Sequence, residues 1–426
     1  MGFQMPENSL PELRFSPEEE QAFGDLADRI VAETLHINEE FIANQRKLSK
    51  QEWKLIKAKE QMQVYRKRKV KEGTPQRPRL LSGTLLENHL HQNNYIDSSQ
   101  HGSGSGGHAS SGAQSSLHHQ HSHSTSSSDE RESDSAFGDD GIVEHAKPAH
   151  VPIVVAHGIL PGTVEDVAFG TLAHTEYAWR QRNSYVQQAD FDARKILATI
   201  HTPTEDDPFR FLGIKWTTRA FGAFMSRRDF VYIEATGMAL DSNGDRVSYE
   251  LIHSIELKQI PEFKQLEIIR GKFSKCVISR QYDASSIEVY CRSFSDLGGE
   301  MMESVSTNAQ SENILTVANS VECSYVKKMT WQMQRNRRTK SQIEKHAAVK
   351  NCEMCDKKLG NLFQSGSACQ ICRTMICNKC CVEKKVTVDI SEEVTQKMLS
   401  FCLPCVINAK KLPAWDVAVA NIPFDH

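Results

Sequence analysis

Long apolar runs are missing from this chain, and none approaches the ~18 residues that a membrane-spanning helix needs. Net charge is nearly missing too, at −3 from 51 Lys and Arg against 54 Asp and Glu. So even a balance supplies no global field toward nucleic acid or an acidic membrane. The signatures of common catalysts are also wanting: there is no nucleophile elbow, phosphate loop or catalytic metal set. Gly102-Ser103-Gly104-Ser105-Gly106 has neither a strand before it nor a helix after it, so it reads as linker. The first ten residues, MGFQMPENSL, hold no apolar signal core. Pro6 stands where N-myristoylation favours Ser or Thr. The expectation is a cytoplasmic, non-enzymatic chain with no nucleic-acid partner, whose contact with any membrane is peripheral.

What the chain does have is cysteine in one place. Of its twelve cysteines, eight form four pairs with two residues between partners. They are Cys352/Cys355, Cys369/Cys372, Cys377/Cys380 and Cys402/Cys405. Two thiolates on one tight turn can share a metal ion, and a closed tetrahedral zinc site takes four ligands, so two zinc ions per chain are expected. The gaps between pairs are 13, 4 and 21 residues. A 4-residue gap is too short for the second and third pairs to fold around separate sequential partners. An interleaved arrangement relieves this. Cys352, Cys355, Cys377 and Cys380 would hold one ion; Cys369, Cys372, Cys402 and Cys405 would hold the other. A disulfide scaffold is disfavoured by two-residue loops and by the lack of a signal segment. Cys381 is a bystander.

This pattern resembles a FYVE-type zinc finger, since RING and PHD fingers need a histidine ligand. The resemblance implies membrane or protein targeting, with peripheral placement on endosomal membranes. Three of its phosphoinositide-binding features are replaced. Ile343 and His346 stand at the Trp and Asp positions of the usual Trp-x-x-Asp. Ser365-Gly366-Ser367-Ala368-Cys369-Gln370 replaces a basic run, and Ser400 replaces an Arg. Lys357 and Lys358, with Leu362 and Phe363, form the one basic and apolar loop that could meet a bilayer.

Upstream, Ser16-Pro17-Glu18-Glu19 is a capping-box helix start, and Phe23, Leu26, Ile30, Ile37 and Phe41 follow at helical spacing. Ser49 to Glu52 repeats the box, predicting a second helix that carries Trp53 and Ile56. Met62, Val64 and Tyr65 read as a strand leading into Arg66, Lys67, Arg68, Lys69 and Lys71, a run suited to acidic headgroups or to a solvated face. From 98 to 141 the chain is rich in Ser, Gly and His and reads as disordered. A strand at Val151–Leu160 and helices at Gly162–Ala173 and Thr175–Asp190 follow. A series of strands then runs to Arg292, with a hairpin turn at Asp241-Ser242-Asn243-Gly244. One long helix is expected from Gly299 to His346.

Trp216 followed by Arg228-Asp229-Phe230 resembles the Trp…Arg-Asp-Phe signature of START-type lipid-binding domains. Pro208-Phe209-Arg210-Phe211 and Tyr249-Glu250-Leu251-Ile252-His253-Ser254 are similar to versions joined to FYVE-type fingers. The resemblance implies an α+β helix-grip fold, a curved antiparallel sheet wrapped on a long C-terminal helix, with a cavity for a sterol, phospholipid or other apolar ligand. Trp216, Arg228, His253, Arg270, Met329 and Met333 are the pocket candidates. The domain reading is a tail at 1–15, START-like segments at 16–72 and 149–345, a disordered insertion at 73–148, a finger at 346–410 and a tail at 411–426. Two functions fit. One is a lipid-binding or lipid-sensing protein addressed by its finger; the other is an interaction adaptor whose finger binds a protein and whose START-like part is a scaffold.

Overall fold

The computed structural model describes residues 5–6, 9–69, 95–96, 141–186, 193–222, 225–299, 301–336, 349–359, 366–390 and 394–422. Lys71, Ile343, His346, Leu362, Phe363 and all but the end of the Ser/Gly/His-rich stretch lie outside them. Among the described residues, no helix is long and apolar enough to cross a membrane.

Helix α1 (Pro17–Ala43) begins at the capping box: the Ser16 amide donates to Glu19 Oε2 at 2.8 Å, and the Glu19 amide donates to Ser16 Oγ. Two of the donors orphaned at a helix start are thereby satisfied. The next segment is a strand, β1 (Trp53–Lys59), not the expected helix. Glu60, at φ 52°, turns the chain so that β1 pairs antiparallel with β2 (Met62–Lys67). Pairing with a neighbour outweighs the local helix-start pattern.

The remaining large strands are β3 (Val154–Pro161), β4 (Ala193–His201), β5 (Phe211–Arg219), β6 (Arg228–Leu240), β7 (Arg246–Ser254), β8 (Lys272–Asp283) and β9 (Ser286–Asp296). Their order is β1-β2-β3-β9-β8-β7-β6-β5-β4, antiparallel throughout, with the short Ile269–Arg270 strand added parallel to β6. The long segment between β2 and β3 does not separate them, since Val64 still pairs with Ala156. Within the segment read as part of the insertion, Ile142–Ala146 is a helical turn whose Val143 is buried in the main core.

Each strand sends alternate residues to opposite faces. Leu212, Ile214, Trp216, Val231, Ile233, Val247, Leu251, Cys276 and Ile278 pack with Phe23, Leu26 and Ile30 of α1. The other face is covered by α2 (Val164–Thr171), α3 (Glu176–Val186), α4 (Glu303–Leu315) and α5 (Ser320–Arg335). The expected single long helix is thus two, parted by a 3-10 turn at Thr316–Asn319.

The basic run at the end of β2 pairs with the protein's own acids. Arg66 and Lys69 reach Glu303, each at 2.8 Å, and Lys67 reaches Glu144 at 3.3 Å. Downstream come β10 (Gly366–Ala368), β11 (Met375–Cys377), β12 (Cys381–Asp389), β13 (Thr395–Cys402), α6 (Leu403–Lys411) and α7 (Ala414–Val419). Helix α7 occupies the segment read from sequence as a tail; its Ala414, Val417 and Ala418 are buried against Ala168, Phe169 and Phe209.

Candidate metal centres and a cationic cavity

The first three CxxC pairs in the finger sit on tight turns, and the fourth opens α6, with Cys402 at its N-cap. The Asp356 amide donates to the Cys352 carbonyl at 2.7 Å, and the Arg373 amide to the Cys369 carbonyl at 2.9 Å. Asp356 and Arg373 take left-handed backbone, at φ 57° and 67°, which folds the chain back past the sulfurs. The hairpin β10–β11 carries Cys377 to the first pair, and β13 returns Cys402 to the second. The result is two clusters. Cys352, Cys355, Cys377 and Cys380 form one, Cys369, Cys372, Cys402 and Cys405 the other, with all sulfurs of a cluster within 4.8 Å of one another.

These donor sets fit a tetrahedral metal ion. Four sulfurs at about 2.3 Å from a zinc ion stand about 3.8 Å apart. The Cys355–Cys377 and Cys372–Cys402 sulfurs are each 3.7 Å apart. Second donors are in place as well: the Cys377 amide points to Cys352 Sγ at 3.3 Å, and the Thr374 hydroxyl lies 3.1 Å from Cys372 Sγ. Such contacts hold thiolates in position. Cys381 belongs to neither cluster.

The finger does not stand apart. Val326 and Met329 of α5 share one buried cluster with Ile371, Ile376, Val386, Phe401 and Val406, against which Met333 and Tyr185 also pack. Polar contacts edge it. Lys384 meets Glu322 at 2.6 Å, and Gln396 donates to the Ser184 carbonyl at 3.1 Å.

On the helix-covered face of the sheet, α4 roofs a cavity of about 110 Å³. Phe221, Phe230, Tyr232, Phe273 and Leu297 form much of its wall. At its floor lies a buried ionic network. Arg182 of α3 meets Glu234 of β6 at 2.7 Å, Lys215 of β5 meets the same carboxylate at 2.9 Å, and Lys275 of β8 meets Glu250 of β7 at 3.2 Å. Lys215 also donates to the Ala173 carbonyl at 2.8 Å and lies over the Trp179 and Phe211 rings. Burial pulls its pKa down to about 8, against the opposing charge of Glu234. For Glu234, burial pushes the other way, but Arg182 and Lys215 hold the carboxyl below its ordinary value.

None of the six residues nominated from the sequence lines this cavity. Trp216 faces α1, where its indole donates to Asp229 at 2.9 Å. Arg270 forks onto the same carboxylate with two 2.9 Å bonds. Arg228 ties down the Leu297 carbonyl at 3.0 Å, and His253 pairs with Ser274 Oγ at 3.0 Å. Met329 and Met333 belong to the contact with the finger. Lys357 and Lys358 are exposed at the first knuckle, beside exposed Met354. The residues the sequence reading missed are Arg182, Lys215, Glu234, Glu250 and Lys275. For the last four the signal was charge at inward positions of strands otherwise rich in aromatic and β-branched residues; Arg182 lies on helix α3.

No family model matches the sequence, and no curated protein does. Solved structures with some likeness include human STARD10, with 8% identity over 66% of this chain and 78% of its own, at TM-score 0.34. Human StAR-related lipid transfer protein 5 has 12% identity over 69% of this chain and 96% of its own, at TM-score 0.34. A STAR-related lipid transfer protein fragment from Xanthomonas axonopodis has 11% identity over 64% and 97%, at TM-score 0.33. Likenesses of this size leave the family open.

Proposed function

We propose that this chain is a non-enzymatic ligand-binding protein, a START-like helix-grip domain with a degenerate FYVE-type zinc finger built onto its last helix. The cavity between α4 and the sheet carries the reading. Its aromatic wall suits an apolar body, and its lining adds a few polar and charged groups, as ligand pockets do. Both cysteine clusters bind zinc through four thiolates, which leaves no open position for catalysis. The finger braces α5 and presents Met354, Lys357 and Lys358 outward, so peripheral contact with endosomal membranes or a protein partner is assigned to that knuckle. The test is native mass spectrometry of the full chain, followed by organic extraction and identification of what co-purifies. One stoichiometric amphiphile supports the reading. A chain that carries nothing and takes up no amphiphile offered to it favours the adaptor, in which the sheet domain is scaffold alone.

A further inference from the structure

We propose that the cavity is a site for a small anionic amphiphile, a carboxylate with one ring or a short chain; this rests on the ligand-binding reading above. Three observations converge. Among the described residues, the lining includes Arg182, Arg219 and Lys275 but no Asp or Glu. Glu234 and Glu250 are not part of that lining, so the charged groups a ligand would touch among the described residues are cations.

The buried network is also out of balance. Among the described residues, Arg182, Lys215 and Lys275 are three cations against two carboxylates, Glu234 and Glu250. An excess charge removed from water is costly unless a counter-charge joins it. Lys275 is placed to receive one. An ammonium carries three donors, and among the described residues its one hydrogen bond goes to Glu250, at 3.2 Å.

Size sets the other limit. A cavity of about 110 Å³ is near the ~150 Å³ engineered void that holds one benzene, and below the ~300 Å³ at which drug-sized pockets begin. A diacyl phospholipid or a sterol does not fit beneath α4 as it lies. The roof agrees with a partly polar ligand, because α4 lines the cavity with Gln310 and Asn313 beside Ala309 and Ile314.

The experiment is ligand-observed NMR and calorimetry on the full zinc-loaded chain. The probes are phenylacetate and hexanoate against their neutral partners, 2-phenylethanol and hexanol. The acids are expected to bind about ten- to a hundredfold more tightly than the alcohols, the range of a charge-assisted hydrogen bond. Lys275→Gln, which leaves two cations against two carboxylates, is expected to bring the acids down to the level of the alcohols. Equal binding of acid and alcohol to the native chain overturns this inference and leaves the ligand-binding reading intact. Binding of neither, with a larger neutral lipid co-purifying, does the same. If no probe binds and nothing co-purifies, both fall. Should Lys275→Gln fail to fold, the acid and alcohol comparison on the native chain decides alone.

Discussion

The Thr387 amide of the finger donates to the Tyr185 hydroxyl of α3 at 2.6 Å. Two hundred residues apart in sequence, these groups close a contact whose centre is Met329, buried between α5 and the metal-binding hairpins. The four cysteine pairs suggest a module that folds and unfolds alone. The shared core says otherwise.

Cys377→Ser, or removal of the metal by a chelator, is therefore expected to destabilise the sheet domain together with the finger. Loss of thiolate ligation undoes a module whose folding depends on metal. Val326, Met329 and Tyr185 then face water, at about 25 cal/mol for each Å² of apolar surface. Trp179 and Trp216, both fully buried on the sheet side, report the change by fluorescence during thermal melting. A melting curve for these tryptophans that is unmoved by chelation defeats the idea.

Within the cavity floor, Glu234→Gln and Lys215→Met should differ sharply. Removing the carboxylate leaves Lys215 without its paired acid and Arg182 with only Glu250, 3.8 Å away, at a cost of about 3–5 kcal/mol. Replacing Lys215 takes out the excess charge, and methionine suits a site between Trp179 and Phe211. Urea unfolding should rank Lys215→Met as the milder change. The reverse order would mean that the network carries no surplus charge.

Acid should act partly through two histidines. His253 is held down to about pKa 4 by burial. His174 is held at about 4 by burial and by the charges of Lys327 and Lys215. In both, the unfolded chain binds a proton more readily than the folded one, so stability is fully present above about pH 6.5 and falls as the pH drops toward 4. The slope is about 1.4 kcal/mol per pH unit for each group. His253→Asn keeps a polar partner for Ser274 and should flatten the dependence between pH 6 and 4. Denaturant midpoints measured across that range check it; an unchanged slope counts against a neutral His253.

How legible was this in the sequence? The two cysteine clusters were, because a CxxC turn is local and the short gap between pairs two and three forces interleaving. The Ser16 to Glu19 start was legible for the same reason. Trp53 was not: a repeat of the capping box gave no hint that β2 would claim the segment as a strand partner. Alternation in β6 separated Val231, Ile233 and Ala235 from Tyr232, Glu234 and Thr236, but it could not say which face held a cavity. Both faces are covered, so Glu234 is as buried as Ile233. The pocket nominations followed the conspicuous Trp216 and Arg228, which turned out to fasten strands and loops.

The last prediction concerns phosphoinositides: the full chain should show no binding that depends on the 3-phosphate. A phosphate monoester needs charge-assisted donors, best of all arginine forks. At the positions where a FYVE-type finger supplies them, β10 offers Gly366, Ser367 and Ala368, and β13 offers Ser400. The neighbours make matters worse. Ser400 lies opposite Glu383 in the β12–β13 ladder, so its cross-strand neighbour is an acid. Two of the finger's cations are engaged, with Arg373 donating to Gln370 at 3.1 Å and Lys384 to Glu322 at 2.6 Å. Each missing charged hydrogen bond removes about 1.5–3 kcal/mol, so several together remove the site. The exposed knuckle of Met354, Lys357 and Lys358 can still attract anionic bilayers, weakly and without regard to isomer. Flotation of the full chain with vesicles carrying the 3-phosphate or the 4-phosphate lipid should give equal, salt-sensitive recovery. Micromolar recovery confined to the 3-phosphate vesicles would show that cationic groups elsewhere on the finger rebuild the lost site.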